Sequence, residues 1–484
     1  MPGVTISTAV RTGPSNTTVR ESSQAFFVGL AERGPTDAAV KVNSLAEFEE
    51  VFGGYVSYAY LHPTVQTFFE EGGTQAYVAR VVGPAATTGT LDLQNSTTDV
   101  ITLNAVGAGS WSSNLTAEVV ASSALRNIRI RYNGDIIFTT GLKATNTELV
   151  SAINTNATVS NYLTATLVAA TPLVSAVSAT ALSAGDDDRD DNTVDTSFSA
   201  FVDSLEYFLD SYGSGAVSCP ETDAINADLI AHANTYNRIA ILHAAFDETD
   251  MATVAADLSG ENGAEHAAIY HPWVYVPTTV SGVNRLIPPD GYVIGKRALA
   301  HNQNGPHQPY AGLVSAARFV NGVYVDINKT TGDELDENLV NAVRIIANQV
   351  RIYGARSLST DTDNFRFITS QDVINSIVNA AGASMEDLVF SVIDGRGGLF
   401  AEITGRLTAI CENIKSLGAL YEGFDANGKK VDPGYTVKCD TSINTTASLA
   451  EGTVAAQLGV RVSSIGDKIN VTIVKSNLTS TVTV

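Results

Sequence analysis

Short, uninterrupted apolar segments recur along this chain, and segments with helical patterns follow them. Residues 25–30 form one such run, which is typical of a strand buried on both faces of a sheet. Ser44 is placed to cap a helix predicted over residues 45–52. A second helix is predicted over residues 58–71, and another strand over residues 75–82. Strands that alternate with helices in this way predict an α/β core.

The pattern changes between residues 85 and 195, where Thr, Ser, Asn, Val and Ala dominate. Asn133 and Gly134 separate two short β-like segments, which is a hairpin signal. A short helix is predicted over residues 147–153. Residues 185–191 are mostly acidic, and we expect an exposed linker there. This part of the chain is therefore predicted to be an inserted, mostly β domain.

The alternation of strands and helices resumes near residue 196 and continues to about residue 364. Apolar residues at near-helical spacing predict a helix over residues 333–350. A smaller α+β unit follows, with a strand predicted over residues 388–392 and a long helix over residues 398–417. The predicted organisation is an N-terminal arm (1–22), an α/β core (23–84 with 196–364), the inserted β-rich domain (85–195), a C-terminal α+β domain (365–475) and a C-terminal arm (476–484).

The charge of the chain excludes several classes of partner. Its 484 residues include 51 acidic and 29 basic side chains, which gives a net charge of −22. Binding to nucleic acid or to an acidic membrane surface needs a basic face, so we expect neither. No apolar stretch is long enough for a membrane span, and no secretory signal opens the chain. We therefore expect a soluble protein of a reducing compartment.

Candidate catalytic and metal sites are weakly supported by the sequence. Cys219, Cys411 and Cys439 lack disulfide or metal spacing, and His301 and His307 have no acidic or thiol partner at ligand spacing. We expect no metal and no cofactor.

Two local motifs also have simpler explanations. Ser384 is not in a nucleophile elbow, and Asp387 three residues later favours helix N-capping. The glycine-rich segment 394–398 could hold a phosphate at a helix start, but it lacks the P-loop Lys-Ser/Thr pair, which favours a strand-to-helix turn.

Both ends of the chain alternate apolar and polar residues, which is the pattern of a strand with one buried face. A strand on an arm either folds onto its own sheet or pairs with another chain. Such arms at both ends favour exchange between subunits. The predicted inter-subunit strand residues are Val4, Ile6, Thr8, Val10, Leu478, Val482 and Val484.

Several segments resemble the contractile tail sheath proteins of phages and related injection machines. They extend over most of the chain, except for residues 85–195, where that family tolerates a variable domain. Tyr353 differs from the family pattern, which often has Trp at this position. The resembling segments are Pro2-Gly3-Val4 and residues 25–35, 42–54, 68–81, 353–359 and 437–446.

The resemblance implies a non-enzymatic structural protein of the virion tail, assembled in the host bacterial cytoplasm. Its subunits would form stacked hexameric rings around a tail tube, linked by terminal arms that donate strands to neighbours. Contraction would drive the tube through the host envelope for DNA delivery. The implied partners are other copies of the chain, the tail tube protein, and baseplate and tail terminator proteins, without direct nucleic-acid binding or membrane insertion.

The distribution of charge adds a further expectation. Residues 365–484 hold 12 acidic and 10 basic side chains, whereas residues 1–364 hold 39 and 19. In the family the C-terminal part lies nearest the tube and inserted domains lie outside. We therefore expect the nearly neutral part to contact the tube, through a helix over residues 398–417. Its candidate tube-facing residues are Glu402, Arg406, Glu412 and Lys415, and an ordinary amphipathic core helix is the alternative.

Two other functions remain open from the sequence. One is an α/β hydrolase-like enzyme with a β insertion, for which changes at His301 or Ser384 would abolish activity. The other is a different self-assembling tail or baseplate protein, although the length and the insertion at 85–195 favour a sheath over a tube.

Overall fold

A computed structural model describes residues 22–189, 198–278 and 282–467 of the chain. They form a mixed α/β fold with several sheets. Ser44 caps the first helix as predicted, because its hydroxyl accepts a hydrogen bond from the Glu47 amide at 3.2 Å. The elements before residue 85 are β1 (Ala25–Gly29), β2 (Val40–Val42), α1 (Leu45–Phe52), α2 (Leu61–Glu70) and β3 (Ala76–Arg80).

Residues 85–189 are mainly β structure with a hydrophobic cluster of their own. The predicted hairpin is present, and Asn133 and Gly134 take φ values of 51° and 91° at its tip. One sheet has the strand order β10-β6-β7-β8, and a second has the order β4-β5-β9. The elements are β4 (Thr90–Asn95), β5 (Thr98–Ala105), β6 (Leu115–Ser122), β7 (Leu125–Tyr132), β8 (Asp135–Thr139), α3 (Asn146–Asn154), β9 (Leu163–Leu167) and β10 (Val177–Ala181).

The alternation of helices and strands returns after residue 198. The elements are α4 (Phe198–Leu205), β11 (Ala216–Ser218), α5 (Asn226–Tyr236), β12 (Ile239–Leu242), α6 (Met251–Ser259), β13 (Ala267–His271), β14 (Val274–Pro277), β15 (Asn284–Ile287), α7 (Asp290–Asn304), β16 (Gly322–Val323), α8 (Lys329–Glu337), β17 (Val340–Ile346) and β18 (Gln349–Tyr353).

Eight strands form the central sheet in the order β18-β17-β13-β12-β11-β1-β3-β2. The six inner strands are parallel, while β2 and β18 run antiparallel to their neighbours at the two edges. From β1 the chain adds β3 on one side and later adds β11, β12, β13 and β17 on the other. The strand order therefore reverses between β1 and β11, where an open α/β sheet has its ligand crevice.

Both faces of the central sheet are covered, which explains the continuous apolar run of β1. Phe27 belongs to a cluster with side chains from α1, α2 and α7. Phe26 and Val28, which point to the other face, belong to a cluster with α4, α5 and α6. All three side chains are fully buried. A strand between two helical layers has no polar face, and this accounts for its sequence.

The C-terminal unit is smaller. Helices α9 and α10 pack through Val373, Ile377, Ile410 and Ile414, and the sheet of β21 and β22 packs against the same cluster. The elements are α9 (Ile368–Met385), α10 (Gly398–Ser416), β19 (Gly423–Phe424), β20 (Lys430–Asp432), β21 (Tyr435–Lys438), α11 (Thr446–Ala450) and β22 (Gln457–Val460).

The helix expected over residues 333–350 is wrong. Helix α8 ends at Glu337, and the following residues form the hairpin of β17 and β18. Leu339 (φ 64°) turns the chain into β17, and Ala347 and Asn348 (φ 51° and 60°) form the hairpin turn. The apolar spacing agrees with a helix by coincidence, because residues 340–342 pair with β13 and residues 342–346 pair with β18 instead.

The strand expected over residues 388–392 is also wrong. This segment lies in the connection between α9 and α10, and Phe390 within it is wholly exposed with φ 67°. No strand among the described residues pairs with it. Apolar residues alone do not make a strand, because the backbone N–H and C=O groups of a strand must pair with a neighbouring strand.

Candidate assembly sites

The predicted terminal strands lie outside the described residues, so the structure contributes only the residues that lie next to the predicted arms. The residues concerned are Val4, Ile6, Thr8, Val10, Leu478, Val482 and Val484. The described chain begins at Ser22, and its last described residue is Asp467.

Ser22, the described residue next to the predicted N-terminal arm and hence the root of that arm, is buried. The Arg297 guanidinium, on α7, donates to the Ser22 carbonyl at 2.6 Å and pairs with the Asp372 carboxylate on α9. The Ser22 hydroxyl contacts His301 Nδ1 at 3.0 Å. These four residues are almost inaccessible to solvent. Together they join the start of the described chain to one helix of the core and one of the C-terminal unit.

Burial sets the charge state of this cluster. It raises the pKa of Asp372, although Arg297 opposes the shift. Burial, reinforced by Arg297, holds the pKa of His301 well below its usual range, so the imidazole is neutral at pH 7. His301 Nε2 and Asp372 Oδ2 lie 3.6 Å apart, and neither has a hydrogen-bond partner among the described residues. The cluster is therefore a paired Arg–Asp with a neutral histidine beside it.

The other end of the described chain lies beside the two-stranded sheet of β21 and β22. Ser463 donates from its backbone to Ala419 and from its hydroxyl to Gly418, each at 2.9 Å. Asp467 pairs with Arg366 at 3.2 Å. Within the described residues, β21 and β22 pair only with each other. Just beyond β22, Val462 bridges to Leu420, whereas no other described strand pairs with the outer edges of β21 and β22 themselves.

The edges of the central sheet are less open. Ser315 accepts from the Ile352 amide and donates to its carbonyl, both at 3.1 Å, along the outer edge of β18. Strand β2, at the opposite edge, is three residues long and carries Lys41 at its centre. Short, charged or covered edges discourage pairing with another chain. Among the described residues, the central sheet is thus better protected at its edges than the two-stranded sheet of β21 and β22.

All four candidate tube-facing residues lie on α10 and are engaged within the chain. Arg406 bonds to Glu402 at 2.7 Å, and also to Asp387 and the Ser384 carbonyl. Glu412 pairs with Lys415 and accepts from the Tyr435 hydroxyl at 2.5 Å. These contacts connect α10 to the end of α9 and to β21. These bonds within the chain account for the four charged side chains. A contact of α10 with a tube stays a prediction.

Other residues singled out in the sequence have local roles. Ser384 lies near the end of α9, so the expected N-cap is wrong, and Asp387 pairs with Arg406 instead. Asp394 accepts from the Gly398 amide at 2.9 Å and so fills the helix start where a phosphate was considered. The chain reaches this turn from α9 and not from a strand, so the predicted strand-to-helix turn is wrong. His301 belongs to the arm root described above.

The acidic run at the end of the insertion is not simply an exposed linker. Asp187 pairs with the buried Arg80 at 2.6 Å, and the Arg189 guanidinium lies 3.5 Å from the centre of the Tyr58 ring. Arg80 also donates to the carbonyls of Ala31, Gly34 and Ala108. Arg80, on β3 of the core, therefore contacts the 85–189 segment at two separate points, Ala108 and Asp187. The part of the run after Arg189 lies outside the described residues.

The crevice at the reversal of strand order is filled by a side chain that the sequence did not single out. The Glu221 carboxylate accepts hydrogen bonds from the Tyr60 and Leu61 amides, at 2.9 to 3.0 Å, and from the Leu30 amide at 3.3 Å. It thus caps the start of α2. Burial raises its pKa to about 7 despite these bonds. Only the sheet order shows that Glu221 faces α2, so no local motif could have revealed it.

A buried Ser–Asp–His cluster lies at the ends of β11 and β12. The Ser218 hydroxyl donates to Asp290 at 2.5 Å, and His243 Nδ1 lies 3.0 Å from the same oxygen. Burial lowers the pKa of His243, but the Asp290 carboxylate outweighs it and the pKa is raised. A nucleophile would need its hydroxyl on the histidine, with access to substrate. Here the aspartate separates the two and all three are buried, so the cluster is structural.

The described part of the chain contains no group of three or more metal-ligating side chains. Cys219, Cys411 and Cys439 are free and buried. None of the helices in the described ranges is long and apolar enough to cross a membrane.

No protein-family model and no curated protein matches the sequence. Solved structures do match the fold. A sheath tail protein from Listeria innocua has a TM-score of 0.61 at 15% identity, over 88% of this chain and 90% of its own. The baseplate of the anti-feeding prophage in its contracted state gives 0.60 at 15% identity, over 98% of both chains. The contracted sheath complex of PVC, an extracellular contractile injection system, gives 0.55 at 14% identity, over 98% of both chains.

At such identities the similarity is one of fold. The chain has the mixed α/β fold of the two sheath proteins among them, and the resemblance drawn from its sequence segments is confirmed at that level.

Proposed function

We propose that this chain is the subunit of a contractile tail sheath. Its subunits form hexameric rings that stack helically around a tail tube, and their contraction drives the tube through the host envelope for DNA delivery. The role is structural rather than enzymatic, and the place of action is a virion tail assembled in the host cytoplasm. The partners are other copies of the chain, the tube protein, the baseplate and the tail terminator.

The observation that carries the proposal is the fold shared from end to end with sheath proteins. A match over 98% of both chains includes the core, the insertion and the C-terminal unit, so it is not a likeness of one common domain. The PVC sheath complex and the anti-feeding prophage baseplate are both named for a contracted state. The central α/β sheet alone would support many functions, because such sheets occur in unrelated proteins.

Strand exchange is the proposed link between subunits. The terminal segments carry alternating sequences, and β21 and β22 offer outer edges near the last described residues. A two-stranded sheet is only marginally stable by itself, so added strands would also stabilise the acceptor. Repeating such a contact from one copy to the next without closure gives an open helical assembly.

Contraction, in this proposal, is a switch between two packings of the same subunits. The arms keep neighbouring subunits connected while the bodies move, and new contacts between bodies provide the driving free energy. The extended state is then held kinetically until contraction is triggered.

Deletion of residues 1–12 or 476–484 tests the proposal. Purified wild-type protein should form tubes in electron micrographs, with sixfold rings in end views. Each truncated protein should stay folded, with an unchanged circular dichroism spectrum, and sediment as a monomer. Proline at Ile6 and Thr8 should have the same effect, because proline cannot donate to a ladder.

Proline at Thr18, in the Gly- and Pro-containing stretch after the predicted strand, is the matched control and should leave tubes intact. Tubes formed by either truncated protein would contradict strand exchange. A wild-type protein that forms no tubes, alone or with its tube protein, would contradict the sheath function itself.

A further inference from the structure

The N-terminal arm begins inside the molecule, which is unusual for a segment meant to reach another subunit. Ser22, Ser23 and Gln24 are all buried. The Gln24 side chain donates to the carbonyls of Ser214, at 2.7 Å, and Tyr212. Termini are usually loosely held unless specific contacts tie them down. This root is tied over three consecutive residues, directly before β1.

The contacts of Ser22 make its detachment from the rest of the protein costly in free energy. Its carbonyl accepts from a guanidinium, and hydrogen bonds to charged groups are stronger than those between neutral groups. Withdrawal of Ser22 would leave the buried Arg297 with a donor unpaired, which is costly. The neighbouring Lys296 is also buried and pairs with Glu71 at 2.7 Å, which joins α7 to the end of α2. The anchoring helix is therefore itself fixed in the core.

The same arginine extends the connection to the C-terminal unit. Asp372 lies on α9, and α9 packs against α10 beside the open-edged sheet of β21 and β22. The root of the donating arm and the accepting sheet are thus connected through two packed helices and one ion pair.

We propose that Arg297, with His301 and Asp372, anchors the N-terminal arm to α7 and α9, so that a pull on the arm is resisted at this cluster. Arg297 is a positioning residue: it fixes where the arm leaves the body. That a neighbouring copy exerts the pull rests on the proposed function, whereas the anchor itself is a property of the single subunit.

Single-molecule force spectroscopy on the isolated subunit tests the anchor. One handle is attached at the N-terminus and the other at Ala409→Cys, on the exposed face of α10; the three native cysteines are buried and stay unlabelled. Under constant force, Arg297→Lys should detach residues 22–24 at least roughly tenfold sooner than wild type. Lysine lacks the fork needed to hold both Ser22 and Asp372, and one hydrogen bond to a charged group is lost.

Arg80→Lys is the matched control, since Arg80 is an equally buried arginine paired with an aspartate, at the root of the insertion instead. It should lower the melting temperature and leave the lifetime of the arm root unchanged. Equal lifetimes for wild type and Arg297→Lys, or equal shortening by Arg80→Lys, would overturn the proposal.

A milder variant covers the case in which Arg297→Lys does not fold. Ser22→Ala removes only the hydroxyl contact with His301 and should shorten the lifetime a few-fold. An unchanged lifetime in this variant would also count against the anchor. The readout needs no polymer, so a wild-type protein that forms no tubes would refute the sheath function while the anchor stands or falls on its own measurement.

Discussion

Glu221 is the residue whose ionisation is most closely tied to the fold. It fills the crevice where the strand order reverses, and it accepts from two backbone amides at the start of α2 and from the Leu30 amide after β1. Its pKa is about 7 in the folded protein against an ordinary value of 4.5. Since the folded state holds the proton more tightly, this group makes the protein less stable as pH rises from about 4.5 through about 7.

We therefore expect Glu221→Gln to remove part of the pH dependence of stability. Relative to the variant, wild type should lose on the order of 3 kcal/mol of unfolding free energy between pH 4.5 and pH 8, from 1.36 kcal/mol per unit of pKa shift. Urea denaturation at a series of pH values measures this difference.

Glu148→Gln provides a control of opposite sign. Glu148 is exposed and caps α3, and its hydrogen bonds to the Ala144 amide and to Thr145 lower its pKa. The contribution of Glu148 to the free energy of unfolding is present at neutral pH and is lost as the pH falls through its lowered pKa. A Glu221 variant with the same pH profile as wild type would show that burial does not control this group.

The structural roles of single residues could be predicted from the sequence where their partners are close along the chain. Ser44 caps α1, and Asn133 and Gly134 turn a hairpin, because each acts within a few residues. Ser22, Arg297 and Asp372 come together across 350 positions, and Glu221 meets α2 only because β11 lies beside β1. Such sites depend on sheet order and helix packing, and no local pattern encodes them.

Among the helices and strands, the sequence prediction was wrong where one segment fits both a helical and a strand pattern. The segment after α8 has apolar residues at helical spacing, but it is also rich in Val and Ile. The sheet offers it a place as the strand next to β13. The strand formed, because tertiary pairing outweighs local propensity. Its turn uses Ala347 and Asn348 at positive φ, without the glycine that usually reveals a hairpin.

Helix α10 contains a glycine with no evident structural purpose. Gly405 is exposed in the middle of the helix, and a Cβ there would meet nothing within 4 Å. We expect Gly405→Ala to raise the unfolding free energy by about 1 kcal/mol, since alanine restricts the unfolded chain. Thermal unfolding measures this, and Gly134→Ala, at φ 91° in the hairpin, should be destabilising instead. A fall in stability for Gly405→Ala would show that the position is constrained by contacts not seen in the single chain.

The tube contact of α10 can be separated from its structural ion pairs. Arg406→Glu with Lys415→Glu should abolish tube-templated assembly if these charges face a tube. Because Arg406 also binds Asp387 and the Ser384 carbonyl, the change will lower the melting temperature as well. Asp387→Ala breaks the pair without altering the charge of α10 and is the control. Normal assembly by the charge-reversed protein, scored by electron microscopy, would exclude the contact.

For the whole molecule, the separation of hydrophobic clusters is the dominant feature. The two clusters on the faces of the central sheet contain no residue from 85–189, and the cluster of the insertion contains none from outside it. The change in composition near residue 85 coincides with the start of a segment that has its own hydrophobic cluster, and the division of the chain into domains stays a prediction. The excess of negative charge before residue 365 is a second global feature, and it favours solubility of long assemblies.

The insertion should therefore be removable. Thr87 and Asp186 exchange backbone hydrogen bonds of 2.8 and 2.9 Å, so a short Gly/Ser linker can replace residues 88–185. The core loses the Arg80 bond to the Ala108 carbonyl, the Tyr132 bond to Glu32 and the stacking of Arg33 on Tyr162. We expect cooperative unfolding at a melting temperature a few degrees lower, and tubes of smaller outer diameter if the insertion faces outward.

Full-length protein with Tyr132→Phe and Tyr162→Ala separates the loss of these contacts from the loss of the domain. It should show a smaller fall in melting temperature, since Arg80 keeps its bond to the Ala108 carbonyl, and it should keep the wild-type diameter. A deletion variant that unfolds without cooperativity would mean that the core depends on the insertion for its fold. A cooperative variant with unchanged tube diameter would instead place the insertion away from the outer surface, because only an outward-facing domain adds to the radius of a helical tube.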